Sequence, residues 1–125
     1  MDNEQQLKWR CKFSVELSTG ADKVWLILAN FFTIDKWIPF IIECQAVEGI
    51  TITPGCIRCC VISTGVFDSN GKEIVTWAKE RLLAIDHTER SISYEMTENN
   101  LGFVGYTATM TVVPLGDNKE DGCRT

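Results

Sequence analysis

The sequence predicts an α+β fold in one domain: a first strand, two short helices, and then five strands in an antiparallel meander. Three observations predict it. Apolar side chains fall on alternate positions from Arg90 to Met96 and from Val104 to Val112, the period of half-buried strands. Clusters of Asp, Asn, Gly and Ser punctuate the apolar runs at Asp68-Ser69-Asn70-Gly71, Asp86-His87-Thr88 and Asn99-Asn100-Leu101-Gly102, where hairpin turns need them. Helical spacing is confined to Val24, Trp25, Leu28, Phe31 and Phe32.

In chain order, Leu7 to Leu17 reads as the first strand, with Trp9, Cys11, Phe13, Val15 and Leu17 alternating with Lys8, Arg10, Lys12, Ser14 and Glu16. Ser18-Thr19 offers a helix cap, and Asp22 in the first turn suits the positive helix end. An amphipathic helix follows from Ala21 to about Phe32, and a second short one begins at Thr33 to Asp35 and ends near Pro39. Strands are expected at Ile41 to Val47, Cys56 to Thr64, Lys72 to Leu83, Arg90 to Thr97 and Phe103 to Val113. Asp68 to Gly71 reads as a hairpin turn and not a calcium loop, because strands flank it and no glutamate closes it. Asp117 to Thr125 is a polar, glycine-containing end.

Facing residues of a hairpin have numbers that average to the centre of the turn. Arg58 and Glu80 average to 69, Glu80 and Tyr94 to 87, and Tyr94 and Tyr106 to 100, each inside one of the turn clusters. These four side chains are therefore expected in one row on one face. The same parity puts Cys56, Cys60 and Ile62 inside on one strand and Thr76, Ala78 and Leu82 inside on the next. A slip by one residue would turn all of them outward. A cation, a carboxylate and two phenols on an oily wall mark a recognition or reaction site, with Ala78, Cys60 and Met96 as apolar neighbours.

Composition narrows the partners. A length of 125 residues with 45% hydrophobic content is enough for one real core. A net charge of -5 argues against nucleic acid, which needs clustered Lys and Arg. The best apolar run, Trp37 to Ile42, is short and interrupted by Pro39, so no membrane span is expected. The polar start, Met1 to Gln6, lacks the features of a signal peptide, so the expectation is a cytoplasmic protein with reduced cysteines. Cys56, Cys59 and Cys60 have metal-like spacing, but alternation turns Cys59 away from the other two. Cys11, Cys44 and Cys123 have no ligand spacing, and His87, the one histidine, sits in a turn. The six cysteines read as small buried hydrophobes, with no metal site.

The element order, with Lys8-Trp9, Cys44 to Gly49, Gly55-Cys56-Ile57-Arg58, Trp77 to Leu82 and Tyr106 to Met110, resembles the Bet v 1/START-like helix-grip proteins. Within that superfamily, described as polyketide cyclase/dehydrase and lipid transport, it resembles the lachrymatory factor synthase-like plant proteins. The resemblance implies a curved antiparallel sheet around a long C-terminal helix, with a ligand cavity between them. It implies catalytic roles for positions matching Arg58 and Glu80, pocket tyrosines at Tyr94 and Tyr106, and isomerisation of an alkenyl sulfenic acid without cofactor. The chain ends where the family begins its last strand and long helix, with Cys123-Arg124-Thr125 at most the opening of that strand. The expectation is thus a C-terminally truncated domain whose exposed sheet edges permit self-association.

Three functions follow from that reading: a carrier or sensor of a small apolar molecule, a cofactor-free isomerase, and a remnant without independent activity. The isomerase takes a proton from oxygen and returns one to carbon. A carboxylate in an apolar wall suits this, since burial pushes such a group toward neutrality and a guanidinium pulls it back. Arg58 would then face the developing negative charge on oxygen. The plain structural alternative is a cross-strand ion pair that fills a polar gap. The gate and latch of the abscisic acid receptors are absent from the sequence.

Overall fold

In a computed structural model, which describes residues 11–49, 51–116 and 122–125, five strands pair in chain order into one antiparallel sheet. They are β2 (Ile41–Glu48), β3 (Ile57–Phe67), β4 (Glu73–Asp86), β5 (Ser91–Asn99) and β6 (Thr107–Thr111). Preceding them are β1 (Glu16–Leu17), helix α1 (Ala21–Leu28) and a 3-10 helix (Phe31–Lys36). Two short strands follow, β7 (Val113–Pro114) and β8 (Cys123–Arg124), and a second sheet has the order β1-β8-β7. Among the described residues no helix is long and apolar enough to cross a membrane.

The turns form as their residues dictate. Asp68 caps the β3–β4 turn by accepting the N–H groups of Asn70 and Lys72, while Gly71 takes a positive φ of 80°. Asp86 does the same after β4, accepting from Thr88 and Glu89. Irregularities between Ser63 and Val66, Lys79 and Glu80, and Leu82 and Ala84 shift the register and bend the strands locally.

Several elements differ from the sequence expectation. The helix stops at Leu28, with Ala29 as its cap, because Asn30 leaves helical geometry at φ −82°, ψ 89°. Asparagine competes for backbone hydrogen bonds and favours such breaks. The helix cap is Gly20, without a side-chain hydrogen bond, in place of Ser18-Thr19. The last long strand begins at Thr107 and not at Phe103. Gly102 and Gly105 take positive φ, and Asn99 holds the loop by accepting from Leu101 and Phe103 and donating to the Phe103 carbonyl. The first strand is reduced to Glu16–Leu17, since ladder bonds need a partner and β8 offers a short one. Leu7 to Arg10 of that expected strand lie outside the described residues.

Of the edges expected to be unpaired, β1 and the end of the last strand at Val113 are joined through β8, while β6 pairs with β5 alone and stays at the end of the five-stranded sheet. Val15 and Thr125 exchange two backbone hydrogen bonds of 2.7 and 2.9 Å, and β7 pairs with the other side of β8. The main core lies between α1 and the sheet, with Val24, Trp25, Leu28 and Phe31 against Leu82, Ile92, Tyr94 and Val112. Trp25 donates from Nε1 to His87 Nδ1 at 3.1 Å, and Arg90 pairs with Asp22 at 2.7 Å, which ties the β4–β5 turn to α1. A smaller cluster of Ile34, Ile41 and Cys60 lies toward β2. Cys56, Cys60 and Cys123 are buried, but Cys44 and Cys59 are half-buried and Cys11 is exposed, so the description of all six as buried hydrophobes fails at those three.

Candidate functional site

A cavity of about 250 Å³ opens between the 3-10 helix and the sheet, next to the smaller core cluster. Alternation brings Arg58 and Cys60 of β3, Ala78 and Glu80 of β4, and Tyr94 and Met96 of β5 to its wall. Tyr106, just before β6, closes the row. The sequence therefore placed these seven residues on one face. It missed the wall contributions of Ile34 and Ile38 and of the loop residues Leu101 and Phe103, which no strand alternation marks, and the contact of Phe31 with Arg58 behind that wall.

The row itself is offset from expectation. Arg58 faces Glu80, as the turn midpoint indicates, but Glu80 faces Met96 and Tyr94 faces Leu82. The centre of the β4–β5 turn at this level is 88 and not 87, so Tyr94 sits one pair further along on the same face. Met96 in turn donates its N–H to the Tyr106 carbonyl at 2.9 Å, so the observed row is Arg58, Glu80, Met96 and Tyr106. The expected four-residue row fails because the β4–β5 turn is centred beyond His87: next to it Asp86 already pairs with Ser91 and Ile85 with Ile92, and the bulge at Leu82/Ala84 then brings Tyr94 back onto the Glu80 face, opposite Leu82. Tyr106 is also exposed and stacks on Phe103, ring centroids 6.1 Å apart, at the mouth of the cavity and not in its floor.

The ion pair is buried. Arg58 is 2% exposed and Glu80 9%. Nε donates to Glu80 Oε1 at 2.8 Å, and Nη1 donates to the Phe31 carbonyl at 2.8 Å. Nη2 lies 2.7 Å from the same Oε1 but off the line of a hydrogen bond, so it is a buried donor without an acceptor. Oε2 of Glu80 takes no hydrogen bond among the described residues. The guanidinium is also covered by two rings, its carbon 4.1 Å from the Phe31 centroid and 4.8 Å from that of Tyr94. The break after α1 makes this possible, because it turns the Phe31 carbonyl and ring toward β3.

Tyr94 is pushed up to about 12, first by burial and then by the Glu80 charge, with Arg58 opposing. It is a neutral phenol at physiological pH. Around these polar groups the wall is Ile34, Ile38, Ile41, Ile62, Met96 and Phe103. The arrangement offers a ligand an apolar slot with one carboxylate and one neutral phenol. The guanidinium is committed to the carboxylate and to the 3-10 helix. Chemically it can accept a proton or hydrogen bond at one point and shield the complex from water.

Comparison with known proteins places the chain among characterised folds. A family model described as polyketide cyclase / dehydrase and lipid transport matches residues 8–125. Major latex-like protein 151 from Panax ginseng aligns with a TM-score of 0.70 at 18% identity, over 90% of this chain and 70% of that one. A protein from Thermobifida fusca aligns at 0.68 with 26% identity, over 90% and 66%. Norcoclaurine synthase from Thalictrum flavum, solved with dopamine and hydroxybenzaldehyde, aligns at 0.64 with 21% identity, over 90% and 62%. The chain thus spans about two thirds of the length of these neighbours.

Proposed function

Because the chain belongs to the polyketide cyclase/dehydrase and lipid transport family, we propose that it binds a small, neutral, largely apolar molecule bearing one hydroxyl-type donor. The observation that carries this reading is the free Oε2 of Glu80 in an otherwise oily cavity of about 250 Å³. That volume lies just below the ~300–1,000 Å³ of sites for drug-sized ligands, so the ligand is small. A carboxylate ligand is disfavoured. Glu80 would repel it, and the cation that would hold it is turned to Glu80 and Phe31. Of the two ligands named for norcoclaurine synthase, hydroxybenzaldehyde, a small neutral molecule with one hydroxyl, has the chemistry this reading requires.

The test is displacement of a neutral apolar dye by matched pairs of small hydroxyl compounds and their methyl ethers. A hydrogen bond to a charged acceptor contributes about 1.5–3 kcal/mol, so the hydroxyl partner should bind at least tenfold tighter. Glu80→Gln should shrink that preference. Absence of saturable dye binding by a cooperatively folding sample would defeat the proposal.

A second reading is favoured by the Oε2 of Glu80, free of hydrogen bonds among the described residues, sharing one cavity with the neutral phenol of Tyr94. In it the chain is a lachrymatory factor synthase-like isomerase of an alkenyl sulfenic acid. Glu80 takes the proton from the S–OH oxygen and returns one to the alkene carbon, giving a thial S-oxide. Tyr94 orients the oxygen, and Arg58 is a positioning residue that holds the carboxylate. The geometry favours this over direct contact between Arg58 and the developing charge, since Arg58 is 2% exposed. Conversion by wild type and not by Glu80→Gln is the expected result, and equal rates in the two would remove Glu80 as proton carrier.

A further inference from the structure

Cys44 and Cys60 face each other directly in the antiparallel register of β2 and β3. Their sulfurs are 3.7 Å apart, with the Cys60 thiol donating to Cys44. The two differ in access: Cys60 is 2% exposed and lines the cavity, while Cys44 is half-buried and reachable from solvent. No other pair of cysteines among the described residues shares an S–H···S hydrogen bond. Cys59, adjacent in sequence, points to the opposite face of β3 beside Lys79 and Gln45.

We propose that Cys44 and Cys60 form a thiol-oxidation site, which a hydroperoxide converts reversibly into an intrachain disulfide. Backbone geometry permits the bond. Directly opposed residues of an antiparallel pair have Cα atoms about 4.5–5.5 Å apart, inside the roughly 4.4–6.8 Å that disulfides span. Closing the sulfurs from 3.7 Å to a bond length of about 2.05 Å is a side-chain movement of under ~2 Å, with no strand displacement required.

The roles of the two sulfurs are unequal. Cys44 is lowered, first by the hydrogen bond it accepts from Cys60 and also by Arg58, against the opposing effect of burial and of Asp35. Cys60 is raised, by the bond it donates and by burial. Cys44 is therefore the attacking thiolate and Cys60 the resolving thiol. In the first step the Cys44 sulfur attacks the terminal oxygen of the hydroperoxide. The O–O bond breaks, an alcohol or water leaves, and Cys44 becomes a sulfenic acid. In the second step the Cys60 sulfur attacks the Cys44 sulfur, and the sulfenic oxygen leaves as water with the Cys60 proton. Two thiols are oxidised by two electrons and one peroxide is reduced. Because Cys60 lines the cavity, the reaction draws one wall atom toward β2.

The experiment uses the full chain, reduced, freed of reductant and treated with one to five equivalents of hydrogen peroxide. Non-reducing proteolysis with mass spectrometry should give a Cys44–Cys60 linked peptide as the main cross-link. It should carry a 2 Da loss that dithiothreitol reverses. In Cys60→Ser, a sulfenic acid should be trapped at Cys44 by dimedone, a readout that does not depend on ligand binding. Cross-links spread over the other cysteines, or Cys44 and Cys60 still alkylated as free thiols after exposed Cys11 has been oxidised, would overturn the proposal.

Discussion

Arg58 brings Nε and Nη2 within 2.8 and 2.7 Å of a single oxygen of Glu80, only Nε making a hydrogen bond, and the second oxygen of that carboxylate has no hydrogen bond among the described residues. The pair is buried between Phe31 and Tyr94, where a lone charge is costly. Removing one partner by Glu80→Leu should therefore destabilise the protein by about 3–5 kcal/mol, the range for an uncompensated buried charge. Adding Arg58→Met should recover a large part of that loss. Urea unfolding of the two single variants and the double variant checks it: additive losses would show that the pair does not act as a unit.

Tyr94 gives the fold a pH dependence of known sign. Its phenol is held protonated in the folded state up to about 12, against an ordinary value near 10. Between those values the unfolded chain binds fewer protons than the folded one, so stability falls as pH rises. The contribution is complete below about pH 10 and is gone above the folded value. The slope should not exceed about 1.4 kcal/mol per pH unit. Tyrosinate absorbance should show a late step that Tyr94→Phe removes, and a step that survives this substitution would contradict the assignment.

Much of the site was legible because alternation is a strict constraint. One face of β3, β4 and β5 holds Arg58, Cys60, Ala78, Glu80, Tyr94 and Met96 together in any register that shifts by whole same-face pairs, while an odd slip would split the set. The Arg58–Glu80 pairing was legible too, since the β3–β4 ladder runs regularly from Ile57 to Ser63. The position of Tyr94 along the row was not. It depends on a turn centred past His87 and on one extra residue between Leu82 and Ala84, and nothing in Arg81-Leu82-Leu83-Ala84 announces that bulge. The loss of strand at Phe103 to Tyr106 was half legible: Gly102 and Gly105 were visible, but their positive φ was not. The Cys44–Cys60 contact was within reach of the same midpoint reasoning, since the two average to 52, inside the Thr51-Ile52-Thr53-Pro54-Gly55 turn. The Phe31 carbonyl on Arg58 was out of reach, because it depends on where the first helix breaks.

Ala78 tests whether the cavity holds the ligand. It is 1% exposed, faces Cys60 in the ladder and lines the cavity floor. Ala78→Leu should fill part of the space at a stability cost of about 1–3 kcal/mol from overpacking. Displacement titration should show at least a tenfold loss of dye affinity while circular dichroism retains the β signature. Unchanged affinity in a folded Ala78→Leu variant would place the ligand elsewhere.

Gly122 carries the closure of the small sheet. Its φ is 118°, a conformation that side chains rarely adopt, and a Cβ there would lie 2.7 Å from the Leu17 carbonyl oxygen. That oxygen belongs to backbone already fixed by the β1–β8 pairing, so it cannot swing aside as a flexible side chain would. Gly122→Ala should therefore part β8 from β1 while leaving the five-stranded sheet intact. The strain at such positions amounts to about 1–3 kcal/mol. Because local opening needs less free energy than global unfolding, hydrogen exchange should resolve it. The Val15 and Thr125 amides, which bond to each other's carbonyls, should lose protection by about tenfold or more. Amides of β3 and β4, such as that of Leu82 bonded to the Cys56 carbonyl, should keep theirs. Equal loss across both sheets would mean that β8 is part of one cooperative unit with the cavity and not a separable clasp.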